Sequence, residues 1–405
     1  MRRKPLFPPP ASEATGRRMR HKGRQKTTLL TVNGRLELTR IRWHAPGEGS
    51  VAPLDEFLDQ AQRTLTRGLL EMLCRLNQCS SSFAKTAENL KRLTTIEISA
   101  ETVRQVIEAE GRAAAVAMRR GRIDFGWGAA DCDTEEGATR VYLGCDGVKV
   151  PVVTDAEKHK RREKTKARRR RSGKRRKPLP AARPGADQSF KEARVVAAYD
   201  ESQARRAVVV TSGDCQAAGR LIRGLAVALK LEEADETIAN IDGAPWIRNQ
   251  LEFHQAVDRI GLDYFHLKDY AQKTRREVFG EGTQEGQAWV QRLTGVLLEE
   301  GFEAAFQQLL EWRRPLRGRK QAAGDRLLHY MAERRDIICY REFQSRGWQI
   351  GSGPTEAQCK TTTQRIKGRG RRWDLPHAEG LMALAALEAS HVWDHWWTTP
   401  STAAA

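Results

Sequence analysis

The chain has 405 residues, 40% of them hydrophobic, and a net charge of +19. That is apolar material for at least one large core, which excludes wholesale disorder, and at about 150 residues per domain the length suggests two or three domains. No run approaches the roughly 18 apolar residues of a membrane span. The basic N-terminus lacks the apolar stretch of a secretory signal, and the seven scattered cysteines form no C-x-x-C pair, which gives neither a disulfide framework nor a zinc knuckle.

Residues 1–26 hold +8 of the charge. A segment so rich in like charge and so poor in apolar residues is expected to be a disordered basic arm, drawn here as residues 1–27. Residues 28–138 read as a β-hairpin followed by helices. Leu29–Val32 and Arg35–Arg42 alternate around Asn33-Gly34. Ser80–Ser82 can cap a helix over Phe83–Leu93, and Ser99 can cap a further one running to Gly111. Two helices joined by a short connector resemble a helix-turn-helix, a DNA-binding element that plain helical hairpins also imitate.

Residues 139–392 read as an α/β domain. Arg140–Leu143 and Val148–Val153 can be one strand passing through Asp146. A basic loop at 155–190 follows, in which residues 158–177 carry +13 and leave the chain outside the two basic segments at −2. This loop too is expected to stay mobile until a polyanion binds. Lys and Arg neutralise phosphates and release counterions, so nucleic acid is the expected partner. Two further strands, a helix, a short strand over Thr237–Ile241, a helix from Pro245 and a strand over Leu262–Phe265 complete the order. That order predicts a ribonuclease-H-like mixed sheet with helices on both faces. A helical insertion at 268–335 follows, then helices opening at Gly351-Ser-Gly-Pro354 and Asp374-Leu-Pro376, and a frayed tail at 393–405.

Three acids stand at the places where chemistry is expected. Asp146 follows an apolar run as Gly-Cys-Asp-Gly, Asp242 ends a short strand as Ile-Asp-Gly-Ala-Pro-Trp, and Glu356 sits in the first turn of a helix. Hard carboxylate oxygens suit Mg²⁺ or Mn²⁺, and three of them can hold two ions about 4 Å apart, which clamp the attacking and leaving oxygens of a phosphoryl displacement. His266 can order the surroundings of the second acid, contact a phosphate, act near the scissile bond, or simply fill the core beside Tyr264 and Phe265. Lys360, Arg365, Lys367, Arg369, Arg371 and Arg372 follow Glu356, and helical spacing sets Glu356, Lys360 and Lys367 on one face, where phosphate contact is expected. Arg168, Arg169, Arg170 and Arg171 are the densest part of the basic loop. Trp373 can stack on a base or anchor packing.

These motifs, in order, resemble the ISKra-type insertion-sequence transposases within the Mutator-like DDE group. The matching pieces are Gly144-Cys-Asp-Gly147, Asn240-Ile-Asp-Gly-Ala-Pro-Trp-Ile247, Leu262-Asp-Tyr-Phe-His-Leu267, Gly351-Ser-Gly-Pro-Thr-Glu-Ala-Gln-Cys-Lys360 and Gln364-Arg-Ile-Lys-Gly-Arg-Gly-Arg-Arg-Trp373. The resemblance spans residues 28–392 and implies a DDE triad of Asp146, Asp242 and Glu356 that holds two Mg²⁺ or Mn²⁺ ions. It makes Asp263-x-x-His266 the counterpart of the group's C/D-x-x-H motif, with His266 counted among the catalytic residues. It further implies DNA transposition in a bacterial cytoplasm, near the nucleoid, on transposon-end and target DNA, by a homodimer or larger assembly with no membrane association. The competing expectations are an inactive or domesticated relic that only binds DNA, and a nuclease of the same fold that cuts without joining.

Overall fold

The computed structural model describes residues 8–58, 64–173 and 178–398. The chain divides into two compact units, residues 1–113 with 394–405, and residues 114–393.

The first unit opens on an antiparallel sheet of β1 (Arg20–Thr31), β2 (Gly34–Ala45) and β3 (Gly49–Val51). Thr31 pairs with Gly34 across the tight turn, and Gly34 supplies a φ of +109° that L side chains resist. The expected disordered arm is therefore strand from Arg20 onward. Pairing with β2 satisfies its backbone groups, and Met19, Trp43 and Ala45 close a small core on it. Residues 1–7 of that arm lie outside the described residues.

Helices α1 (Arg67–Gln78), α2 (Phe83–Leu93) and α3 (Ala100–Arg119) follow. Ser82 and Ser99 cap the second and third as expected, accepting from the Lys85 and Thr102 N–H groups. On α3 the guanidinium of Arg104 is shared between Glu101 and Glu108.

The second unit is a mixed five-stranded sheet in the order β6-β5-β4-β7-β8: β4 (Arg140–Pro151), β5 (Phe190–Asp200), β6 (Arg206–Thr211), β7 (Glu236–Ile241) and β8 (Arg259–Leu262). The first three form an antiparallel meander, and β7 and β8 then add parallel to β4. The central strands are apolar on both sides, as a sheet covered on both faces requires.

Between β4 and β5 the expected mobile loop is, over Asp155–Arg171, a helix, α4. Thr154 and Glu157 form a capping box, and acids in the first turn and arginines in the last complement the helix dipole. The returning chain lines it: Arg162 donates to the Pro180 carbonyl (2.7 Å) and Lys158 to that of Pro184 (2.8 Å). Local capping and these ties order a segment that buries no side chain of its own. Residues 174–177 of the basic run lie outside the described residues.

Helices α5 (Cys215–Ala228) and α6 (Pro245–His254) connect the strands, and α5 packs on β5 and β6. The insertion comprises α7 (Tyr264–Phe279), α8 (Gln284–Glu299), α9 (Phe302–Arg313) and α10 (Gly318–Ala332). Then come α11 (Tyr340–Ser345), α12 (Gly353–Thr363), which lies against β4 and β5, and α13 (Leu375–Ala389), which packs on β6.

The expected frayed tail is helical over Trp393–Thr398 (α14). Trp397 is buried, Arg67 donates to the Trp396 and Trp397 carbonyls at 2.6 Å each, and Trp396 Nε1 donates to Glu110 at 2.9 Å. Burial of large aromatic surface pins a chain end that would otherwise fray. Residues 399–405 lie outside the described residues. Among the described residues no helix is long and apolar enough to cross a membrane.

Candidate active site

The parallel registers build the site. Arg140 pairs with Glu236 and Tyr142 with Ile238, so carrying that register four residues onward sets Asp146 level with Asp242. Even spacing along the strands points Tyr142, Gly144 and Asp146 to one face, together with Ile238, Asn240 and Asp242. The segment leading into α12 covers that face. Tyr142 and Ile238 pack with Phe343 and Trp348, the Gln349 N–H donates to the Tyr142 hydroxyl (3.1 Å), and Asn240 Nδ2 donates to the Gln349 carbonyl (2.7 Å). Buried Gly144 lets α12 come in close: a Cβ there would overlap the Thr355 hydroxyl and stand 2.9 Å from Thr355 Cβ. The next residue of α12 is Glu356.

Electrostatics tie the three expected acids to one place. Burial pushes the Asp146 carboxyl above its ordinary range, and the charges of Asp242 and Glu356 add to the push. The Gly147 N–H (2.6 Å) and the Cys359 thiol, which both donate to Asp146, counter it only in part. Cys359, one turn beyond Glu356, is a neighbour of the site that sequence patterning did not single out; the i, i+3 spacing on α12 was the available signal. Its own thiol is pushed far up, first by burial and then by the Asp146 charge. Asp242 Oδ1 accepts the Ala244 N–H (2.8 Å), which closes the turn into α6.

His266 lies within the cluster. Its Nδ1 is 3.4 Å from Asp263 Oδ1 and 3.8 Å from Glu356 Oε1, and the neighbouring Asp263 carboxylate raises the imidazole to about 9. Among the described residues, the three whose donor atoms all fall within 4.8 Å of one another are Asp263, His266 and Glu356, not Asp146, Asp242 and Glu356. Glu356 belongs to both sets.

Asp263 opposes two effects. Burial pushes its carboxyl up, while hydrogen bonds from His266 and Ser352 outweigh burial and bring it to about 2, below the ordinary 3.8. A depressed carboxyl stabilises the fold above its ordinary value, and that contribution fades as pH falls from about 4 through 2. The expected size is about 2 kcal/mol. Urea unfolding of wild type and Asp263→Asn should therefore show a gap at pH 6 that narrows steadily toward pH 2.5.

The basic residues after Glu356 fall into two groups. Lys360, Lys367, Arg369 and Arg372 are exposed. Arg365 is not a surface cation: it is 3% exposed, its guanidinium lies 5.1 Å over the Trp373 ring, and burial lowers it to about 10. Arg371 donates to the Arg365 carbonyl (2.6 Å), and Arg372 lies 3.4 Å from Glu157. The helix ends at Thr363, so helical periodicity does not place Lys367 with Glu356 and Lys360 as expected. Trp373 acts as an anchor, with its backbone laddered beside Val152 and its indole donating to the Ile366 carbonyl (3.1 Å). Lys158 of α4 pairs with Asp374 at 2.6 Å, so the loop after α12 also holds the base of α4. Arg168, Arg169, Arg170 and Arg171 form the last turn of that helix.

One further neighbour was not legible in the sequence. Arg334, just past α10, stacks 4.2 Å over Tyr330 and donates to the Gly243 carbonyl (3.2 Å), beside Asp242. The insertion thus touches the loop carrying the second acid.

No family model and no curated protein matches the chain. Among solved structures it is similar to the Drosophila P element transposase strand transfer complex, at 11% identity over 82% of this chain and 80% of that one, with a TM-score of 0.31. A likeness that distant adds no weight to the site.

Proposed function

We propose that this chain is a DNA transposase of the insertion-sequence kind, which cuts and joins phosphodiesters at element ends on a ribonuclease-H-like core. The observation that supports the reading is the β4–β7 register, which carried onward sets Asp146 level with Asp242, together with the Asp242 and Glu356 charges felt at Asp146. The sheet order, three antiparallel strands followed by two parallel ones, is the one expected of such a core.

The donor set suits a hard divalent cation: oxygen ligands only, half-buried, with burial first and neighbouring acids second raising Asp146. Asp146, Asp242 and Glu356 would hold two Mg²⁺ or Mn²⁺ ions. Bound there, such ions would neutralise charge on the attacking and leaving oxygens as the phosphodiester exchanges at phosphorus. The protein contributes position. The middle of β4, the end of β7 and α12 would carry the three carboxylates, and His266 sits against Glu356. Lys360, Lys367 and Arg369 offer charge to the DNA backbone, and α4 extends that track with Arg168, Arg169, Arg170 and Arg171.

The test is an assay on a plasmid carrying the DNA that flanks the gene on both sides, with Mg²⁺ or Mn²⁺. Cleavage with joining is the expected result. Cleavage alone identifies a nuclease, and DNA binding without cleavage identifies a relic. Changing Arg168, Arg169, Arg170 and Arg171 to Ala should leave cleavage chemistry intact. It should also flatten the log–log dependence of DNA affinity on salt by about 0.9 for each phosphate no longer neutralised, read by fluorescence anisotropy.

A further inference from the structure

The register that levels Asp146 with Asp242 continues one strand further. Ile241 pairs with Leu262, so Asp263 is next in the row. Three aspartates at one level, on β4 and just past the ends of β7 and β8, look like three ligands, and Asp263 has His266 and Glu356 within 4.8 Å. The third aspartate differs in its surroundings. It is 1% exposed, whereas Asp146, Asp242 and Glu356 are half-buried. Both its oxygens are engaged. Oδ1 accepts the His266 N–H at 2.9 Å, and Oδ2 accepts both the N–H and the hydroxyl of Ser352.

Ser352 is the residue on which α12 begins, and its carbonyl accepts the Glu356 N–H at 3.0 Å. Beside this pair, the Tyr264 N–H donates to the Ile350 carbonyl at 2.9 Å. The start of α7 is thus fastened to the start of α12, one turn before Glu356. Ser352 takes both places on Oδ2, which leaves a cation only the remaining lone pair of Oδ1, beside the His266 N–H it already accepts.

We propose that Asp263 is a positioning residue: a buried clasp through Ser352 that fixes where Glu356 stands relative to Asp146 and Asp242, and not itself a cation ligand. This rests on reading Asp146, Asp242 and Glu356 as the cation-holding set. Partners that orient a ligand commonly cost tenfold or more in cation affinity when removed.

The test is equilibrium binding of Mn²⁺ alone to the full chain, followed by the electron paramagnetic resonance signal of free Mn²⁺, with thermal melting as the folding control. Wild type and Ser352→Thr, which keeps the hydroxyl, are expected to bind alike. Asp263→Ala should weaken binding about tenfold, Ser352→Ala by a smaller factor because its N–H still reaches Asp263, and the double variant no further than Asp263→Ala. Loss of binding in Asp263→Ala with wild-type affinity in Ser352→Ala would make Asp263 a ligand and overturn the clasp. So would unchanged affinity in both. If Asp263→Ala does not fold, the comparison of Ser352→Ala with Ser352→Thr decides: equal affinity overturns the clasp. Failure of the wild type to bind Mn²⁺ removes the cation site itself, and the clasp with it, an outcome distinct from all of these.

Discussion

Asp146→Asn and Asp242→Asn should each lower Mg²⁺- or Mn²⁺-dependent DNA cleavage by about 10²–10³-fold, the scale of losing one fixed electrostatic element from a reacting centre. DNA affinity, measured by anisotropy in EDTA, should not fall, because each change removes a negative charge from the surface the polyanion must approach. Stability points the same way. Burial and the neighbouring acids disfavour the ionised form of Asp146, so in the absence of divalent ions Asp146→Asn should melt no lower than wild type. A residue that the fold tolerates at a cost and the reaction requires has a functional signature. A variant that melted lower and cleaved normally would mark Asp146 as structural.

Gly144→Ala should damage both the fold and the candidate site. The added Cβ would overlap the Thr355 hydroxyl and lie 2.9 Å from Thr355 Cβ and 3.0 Å from its Cγ2, between a central strand and a packed helix. Neither wall is the far end of a flexible side chain. Overpacking of this kind costs about 1–3 kcal/mol. Because Glu356 follows Thr355 directly, the strain is relieved by moving α12, and a displacement near 1 Å at a reacting group can cost about 10²-fold in rate. Adding Thr355→Ala should restore part of the stability and part of the rate, since the hydroxyl and methyl go but the 2.9 Å approach to Cβ remains. Denaturant melts and cleavage rates on the same proteins check both halves.

The strands and helices were legible where local signals and burial agree. The turn beside Asn33, the caps at Ser82 and Ser99, and the passage of one strand through Asp146 follow from turn chemistry, hydroxyl capping and β-branched runs. Register was not legible, because no sequence pattern states which residue of β4 faces which residue of β7. The level placement of Asp146, Asp242 and Asp263 therefore emerges only from the sheet. Charge density misled the reading of α4. Repulsion among its cations argues against order, but the Thr154–Glu157 capping box, the dipole-matched ends and the returning Pro180–Pro184 chain outweigh it. Arg365 and Trp397 failed for another reason. Whether an arginine lies under a tryptophan, or a terminal helix is covered, depends on partners distant in sequence, or on a fold-back such as that of Trp373, which motif spacing cannot express.

Crystals soaked in MnCl₂ and measured for anomalous scattering test the central claim most directly. Manganese density bounded by the carboxylates of Asp146, Asp242 and Glu356, with Asp263 still hydrogen-bonded to Ser352, is the predicted result. Density held by Asp263, His266 and Glu356 away from Asp146 and Asp242, or no density near these carboxylates at all, would contradict it.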